Sequence, residues 1–131
     1  MDDVLKNVVE ILKKVDFRVS ERCATRPRSF DIAARKNHLL LLLKFLPSVD
    51  SLSRETANEM KILAKRLLGR PLIIGNKSGN ERLKTGVVYK RHSVPSVNAG
   101  TFYNYFVEGT PPYVYAARGG LYVDVDGDAI K

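Results

Sequence analysis

The sequence predicts an α/β domain: a mixed central sheet flanked by helices, plus a C-terminal β-hairpin. A strand–helix–strand unit occupies its middle, formed by the apolar run Leu39–Phe45, an amphipathic helix over Ser53–Leu68 and the short run Leu72–Gly75. Such a unit implies a parallel strand pair joined by a right-handed crossover. Ahead of it, two apolar runs flank the polar turn Arg35-Lys36-Asn37, which reads as an antiparallel hairpin. A separate amphipathic pattern opens the chain, so helices are available for both faces of the sheet.

Each element has a local reason. Val4, Leu5, Val8, Val9, Leu12 and Val15 recur at helical spacing, giving a helix over 3–15 with Asp2 or Asp3 at its start and Lys13 and Lys14 at its end. Phe17 to Ser20 alternate like a short strand, and Arg22 to Ser29 form a basic loop around Pro27. Phe30–Ala34 is the first hairpin strand and His38–Leu46 the second. Leucine favours helices, but turn residues before the tract and Pro47 after it assign it to a strand buried on both faces. Asp50, Ser51 or Ser53 caps the middle helix. Its stripe is Ala57, Met60, Leu63, Ala64 and Leu67, and Lys65, Arg66 and Gly69 close it. Pro71–Gly75 is a buried strand and Asn76–Lys84 a polar surface loop. Gly86–Tyr89 is another strand, with Val94, Pro95 and Val97 leading on toward the sheet. Thr101–Val107 is an aromatic helix, capped by Asn98 or Thr101 and ended by Gly109. After Pro111 and Pro112, Tyr113–Tyr115 and Leu121–Val125 make a hairpin around Arg118-Gly119-Gly120, followed by the turn Asp126-Gly127-Asp128. Residues 1–109 thus read as one α/β domain and 110–131 as a hairpin leading into a further segment. A fresh helix cap at Asp128, so close to the last residue, reads as truncation.

Composition narrows the function classes. With 44% apolar and 27% charged residues, the 131-residue chain is of ordinary globular composition. Its longest apolar tract, Leu39–Leu43, falls far short of the roughly 20 residues of a membrane helix. Asp2 and Asp3 stand where a secretory leader would be positive. The single cysteine, Cys23, cannot form an intrachain disulfide, and no Cys/His cluster suits zinc, so a reducing cytoplasm fits best. Cys23 reads as an incidental thiol, or as a reactive one given the arginines nearby. The net charge is +8, but residues 1–100 hold 20 lysines and arginines against 10 acids, and residues 101–131 hold 2 against 4. A basic body suits a polyanionic partner, nucleic acid first, or is simply a solvated surface.

One charged constellation stands out in FDIAARKNHLLLLLKF: Asp31 at the start of one hairpin strand and Lys44 within the next. This layout resembles the restriction-endonuclease-like fold of the PD-(D/E)XK nucleases and Holliday-junction resolvases. The resemblance implies an Asp and a second acid, two residues before the Lys, meeting on adjacent strands. Those carboxylates hold Mg²⁺, and the Lys orients the attacking water. A hard cation needs such oxygen ligands, and it acidifies the water it holds. Asp31 and Lys44 match, but the second acid falls at Leu42, and Glu10 lies opposite the apolar stripe of its helix. The chain therefore reads as a nuclease-like scaffold without the nuclease, needing no metal or cofactor. The other reading of Asp31 and Lys44 is a structural ion pair at a strand edge.

The stretches FRVSERCATRPRSFDIAARKN, LLLLLKFLPSVDSLS, PLIIGNKSG, GVVYKRHSVPSV and PPYVYAARGGLYVDVDGDAIK carry a narrower likeness. They are similar to the N-terminal region of archaeal helix-turn-helix transcriptional regulators. The resemblance implies a helix-turn-helix domain directly after the Gly-Gly-Leu-Tyr-Val hairpin, hence double-stranded DNA as partner, with base reading by a segment beyond Lys131. Arg18, Arg22, Arg26, Arg28, Arg35 and Lys36 are the candidate phosphate contacts, since the arginine fork suits phosphate, or else a solvated surface. Phe102, Tyr103, Tyr105 and Phe106 read as core or a subunit contact, or as stacking platforms for bases. Tyr113, Tyr115 and Tyr122 suit pairing of the hairpin across a two-fold axis in a homodimer. His92 reads as a surface residue in a basic loop, and GNKSGNE lacks phosphate-loop spacing. Three functions follow: a non-catalytic module of a DNA-binding regulator, a metal-dependent nuclease with a substituted site, and a ligand-sensing domain.

Overall fold

The computed structural model describes residues 2–20, 30–109, 114–116 and 122–124. The basic loop with Arg22, Cys23, Arg26 and Arg28, the residue Tyr113 and the turns at Arg118 and Asp126 lie outside them. The elements run α1 (Asp2–Lys14), β1 (Arg18–Val19), β2 (Ile32–Lys36), β3 (Leu39–Ser48), a 3-10 turn (Val49–Ser51), α2 (Arg54–Leu67), β4 (Arg70–Ser78), β5 (Glu81–Arg82), β6 (Val87–Arg91), β7 (Val94–Val97), α3 (Ala99–Phe106), β8 (Val114–Ala116) and β9 (Tyr122–Asp124). The strands form one mixed sheet in the order β1-β2-β3-β4-β7-β6-β8-β9, with β5 hanging from β4. β3 and β4 pair in parallel across α2, and β2 and β3 are antiparallel, as the sequence predicts.

Period-two alternation sorts β3 between two layers. Leu41, Leu43 and Phe45 pack with Val8 and Leu12 of α1 and Phe102 of α3. Leu40 and Leu42 pack with Ala64 of α2. The neighbouring strand obeys the same rule: Ile74 joins the α1 layer, while Ile73 joins Ala57 and Met60 of α2. Helices therefore cover both faces. The tract of leucines is a strand because each face of the sheet has its own helix to bury against.

Caps explain where the helices begin. The Ser53 hydroxyl accepts from the amide of Thr56 at 3.0 Å, and the Asn98 side chain accepts from the amide of Thr101 at 2.7 Å. The stop of α2 departs from expectation. The left-handed residue is Leu68, with φ 56° and 86% of its surface exposed, and not Gly69. The amides of Leu68 and Gly69 bond back to Lys65 and Ala64, closing the last turn. Gly69 is small for another reason: a β-carbon there would lie 3.1 Å from the Leu40 side chain.

Three more boundaries differ. The first hairpin turns at Asn37-His38, with Asn37 at φ 56°, so Arg35 and Lys36 belong to β2. Pro47 does not end β3: the β2 register stops at Leu43, so Pro47 sits where that edge of β3 needs no ladder amide. The stretch read as a loop over Asn76–Lys84 is largely a β-hairpin: β4 runs on to Ser78, turns at Gly79-Asn80 and returns as β5. Gly79, at φ +60°, supplies the backbone that this turn requires. A second tight hairpin joins β6 to β7 through His92 and Ser93, both at positive φ. No glycine marks it in the sequence.

Candidate functional site

The hairpin β2–β3 positions the charged constellation. Its register sets Ile32 opposite Leu43 and Ala33 opposite Leu42; Asp31 immediately precedes the paired residues of β2, and Lys44 follows Leu43 on β3. The regular ladder stops here, because the Asp31 amide donates at 2.7 Å to the carbonyl of Leu43, the residue already opposite Ile32. There β2 ends. The next amide of β3, that of Phe45, donates to Oδ2 of Asp31 at 2.8 Å. A carboxylate thus stands in for the strand residue that β2 no longer provides. It is 6% exposed, so the bond it accepts is a short, charge-assisted one in a partly dry setting. Lys44 is half-buried on the neighbouring strand.

Alternation then decides what surrounds the pair. Ala33, Leu42 and Lys44 share the sheet face that α2 covers. Leu42, at the place of the second acid, is 1% exposed and packs in a cluster with Ala64, Phe30, Ala33 and Leu63. Glu10 is exposed on α1, the helix of the opposite face. Among the described residues no three of His, Cys, Asp and Glu gather where a metal ion would be held. A two-carboxylate Mg²⁺ site does not fit the described residues of this hairpin: Asp31 is its one acid, with Oδ2 taken by a main-chain amide, and the other position is apolar and covered by α2.

The predicted basic residues are partly brought together. Arg18 and Arg35 are Cα partners across β1–β2 and both are exposed. Arg35 in turn pairs with Leu40, so this duo lies on the α2 face at the sheet margin. Lys36 points the other way, with its ammonium 5.8 Å from the centre of the Phe17 ring in the α1 layer. Arg22, Arg26 and Arg28 fall outside the described residues. Of the aromatic helix, Phe102 is core and Phe106 packs edge-on to Phe17 at 5.9 Å, whereas Tyr103 and Tyr105 are exposed.

Sequence reasoning missed a second basic duo. Lys77 and Arg82 face each other across β4–β5, both exposed. The signal was the spacing K-S-G-N-E-R, which sets its ends opposite each other once Gly79-Asn80 is a two-residue turn.

Known proteins share this sequence. The family described as PD-(D/E)XK superfamily domain matches residues 1–112. A protein of Halorubrum lacusprofundi named "Putative HTH-type transcriptional regulatory protein" is 51% identical over 127 residues, covering 97% of this chain and 39% of that protein. Its namesake in Methanococcoides burtonii is 48% identical over 130 residues, 99% of this chain and 40% of the relative. The Archaeoglobus fulgidus namesake is 47% identical over 128 residues, 98% and 41% respectively. The chain thus spans about two fifths of the length of these relatives. No helix among the described residues is long and apolar enough to cross a membrane.

Proposed function

The chain belongs to the PD-(D/E)XK superfamily, and on that premise we propose that it serves as a non-catalytic, DNA-contacting module of a transcriptional regulator. The observation that carries this reading is Leu42. The position where the family's chemistry needs a second carboxylate is apolar, 1% exposed and packed beneath α2. A lone carboxylate cannot assemble the cation and acidified water that phosphodiester hydrolysis in this family requires. Asp31 and Lys44 then act as structure: Asp31 terminates the β2–β3 ladder by accepting from Phe45. The names that these relatives carry support a regulator. In this reading base recognition belongs to a helix-turn-helix region outside residues 1–109, and this domain adds phosphate contacts through Arg18 and Arg35. The hairpin β8–β9, with β9 last in the sheet order, is the edge through which two copies join.

Two measurements test the reading. Binding to a labelled duplex of about 30 base pairs across a salt series is expected to weaken steeply as salt rises. Incubation with supercoiled or branched DNA and Mg²⁺ or Mn²⁺ is expected to give no cleavage. Metal-dependent cleavage that vanishes in Asp31→Ala would overturn the non-catalytic reading. Sedimentation of the chain reports on the dimer.

A further inference from the structure

We propose that the β4–β5 hairpin is a second nucleic-acid contact, gripping backbone phosphates with Lys77 and Arg82. This inference rests on the DNA-contacting reading and extends it to the far end of β3 from Arg18 and Arg35. Arg35 pairs with Leu40 near the start of β3, and Lys77 pairs with Ser48 at its end. At roughly 3.3 Å per residue, that separation is on the order of 25 Å along the strand.

The hairpin holds two like charges directly opposite each other on exposed strands, an arrangement that destabilises a sheet. Among the described residues neither side chain has a hydrogen-bond or ion-pair partner. The acid that touches this hairpin from the body, Asp50, is engaged by its turn: its carboxylate accepts from the Ser78 hydroxyl at 3.0 Å and from the Gly79 amide. That contact clamps the turn to the body. The Leu83 amide, bonded to the Asn76 carbonyl at 2.9 Å, clamps the base. The two cations are therefore presented on a braced hairpin rather than on a loose loop, which lowers the ordering cost of binding.

The neighbouring cations sort by use. Arg91 donates from Nη2 to the Asp50 carbonyl and Lys61 donates from Nζ to the His92 carbonyl, so both fasten the hairpins to the body. Lys84 is exposed beside Arg82, its amide bonded to the Tyr89 hydroxyl. From Asn76 to Ser93 the chain carries five lysines and arginines and one acid, Glu81. A backbone of regularly spaced phosphates is the ligand that offsets such a field, and counterion release makes the contact measurable through salt.

The test compares the chain with Lys77→Gln/Arg82→Gln, and with Lys65→Gln/Arg66→Gln on the exposed side of α2 as a charge-matched control. Melting curves verify that each variant is folded. Binding to the duplex is followed from about 50 to about 200 mM salt. The hairpin variant is expected to lower the slope of log K against log salt by about 1.8, as two lost phosphate contacts require, with the control closer to the parent. If the parent binds and both variants behave alike, the hairpin is no contact and the inference falls while the DNA reading stands. If the parent binds no duplex even at low salt, the DNA reading falls and takes the inference with it. Binding of phosphatidylserine vesicles through the hairpin, without duplex binding, also overturns it.

Discussion

Two charged pairs on the same sheet are treated in opposite ways. Asp31 and Lys44 are of opposite sign, lie on neighbouring segments where β2 ends, and are respectively buried and half-buried. Lys77 and Arg82 are of like sign, directly opposed and exposed. Arg18 and Arg35 repeat the second pattern at the sheet margin. The first pair takes up main-chain hydrogen bonding, as the bond from Phe45 shows. The others add repulsion, with no side-chain bond among the described residues. Charge that the fold uses is buried and bonded; charge that the fold merely tolerates is displayed.

The largest expected effect concerns the buried side of that contrast. Leu42→Glu restores the missing acid in name but drives a carboxylate beneath α2. We expect it to destabilise the chain by about 4 kcal/mol or more, or to abolish folding, and to yield no Mg²⁺-dependent cleavage. A folded, cleaving Leu42→Glu variant would break the comparison, since the site would then be open. Asp31→Ala leaves the Phe45 amide without its acceptor and is expected to cost about 2–3 kcal/mol in urea unfolding. A carboxylate kept for metal binding would instead be removable with little loss.

Smaller effects sharpen the displayed side. Leu68→Gly relieves the left-handed conformation of an exposed leucine and is expected to raise stability by about 0.5–1 kcal/mol, read as a higher melting temperature. No gain there would mean that Leu68 packs on something. Arg35→Glu converts a like-charged cross-strand pair into an opposite one. It should stabilise by no more than about 0.5 kcal/mol at low salt while weakening duplex binding. If it weakens both, Arg35 is structural.

Much of the fold was legible from local patterns. The amphipathic periods of α1 and α2 and a short choice of caps, from which the structure selects Ser53 and Asn98, follow from short-range chemistry, and the strand–helix–strand order gives the parallel pair β3–β4. The failures share one cause. Leu68 in place of Gly69 at a helix stop, Pro47 inside a strand and His92-Ser93 in a tight turn are residues of the wrong local preference. Leu68 is fixed by the last turn of its own helix, Pro47 by the β4 pairing on either side of it, and His92-Ser93 by the β6–β7 ladder that the turn closes. The hairpin at Gly79 was hidden because its strands are polar on an exposed margin, where no apolar alternation reports them.

The candidate site divides along the same line. The sequence displays Asp31 and Lys44 at the two ends of one hairpin, and a leucine where the resemblance places a second acid, but the turn it suggested, Arg35-Lys36-Asn37, is one residue longer than the Asn37-His38 turn that sets the register. Only the tertiary structure decided that α2 seals Leu42, that Asp31 caps the β3 edge, and that Lys77 meets Arg82 while Lys36 turns away from Arg35. Those outcomes depend on which helix covers which face and where one strand outruns another, and contacts between distant segments carry that information.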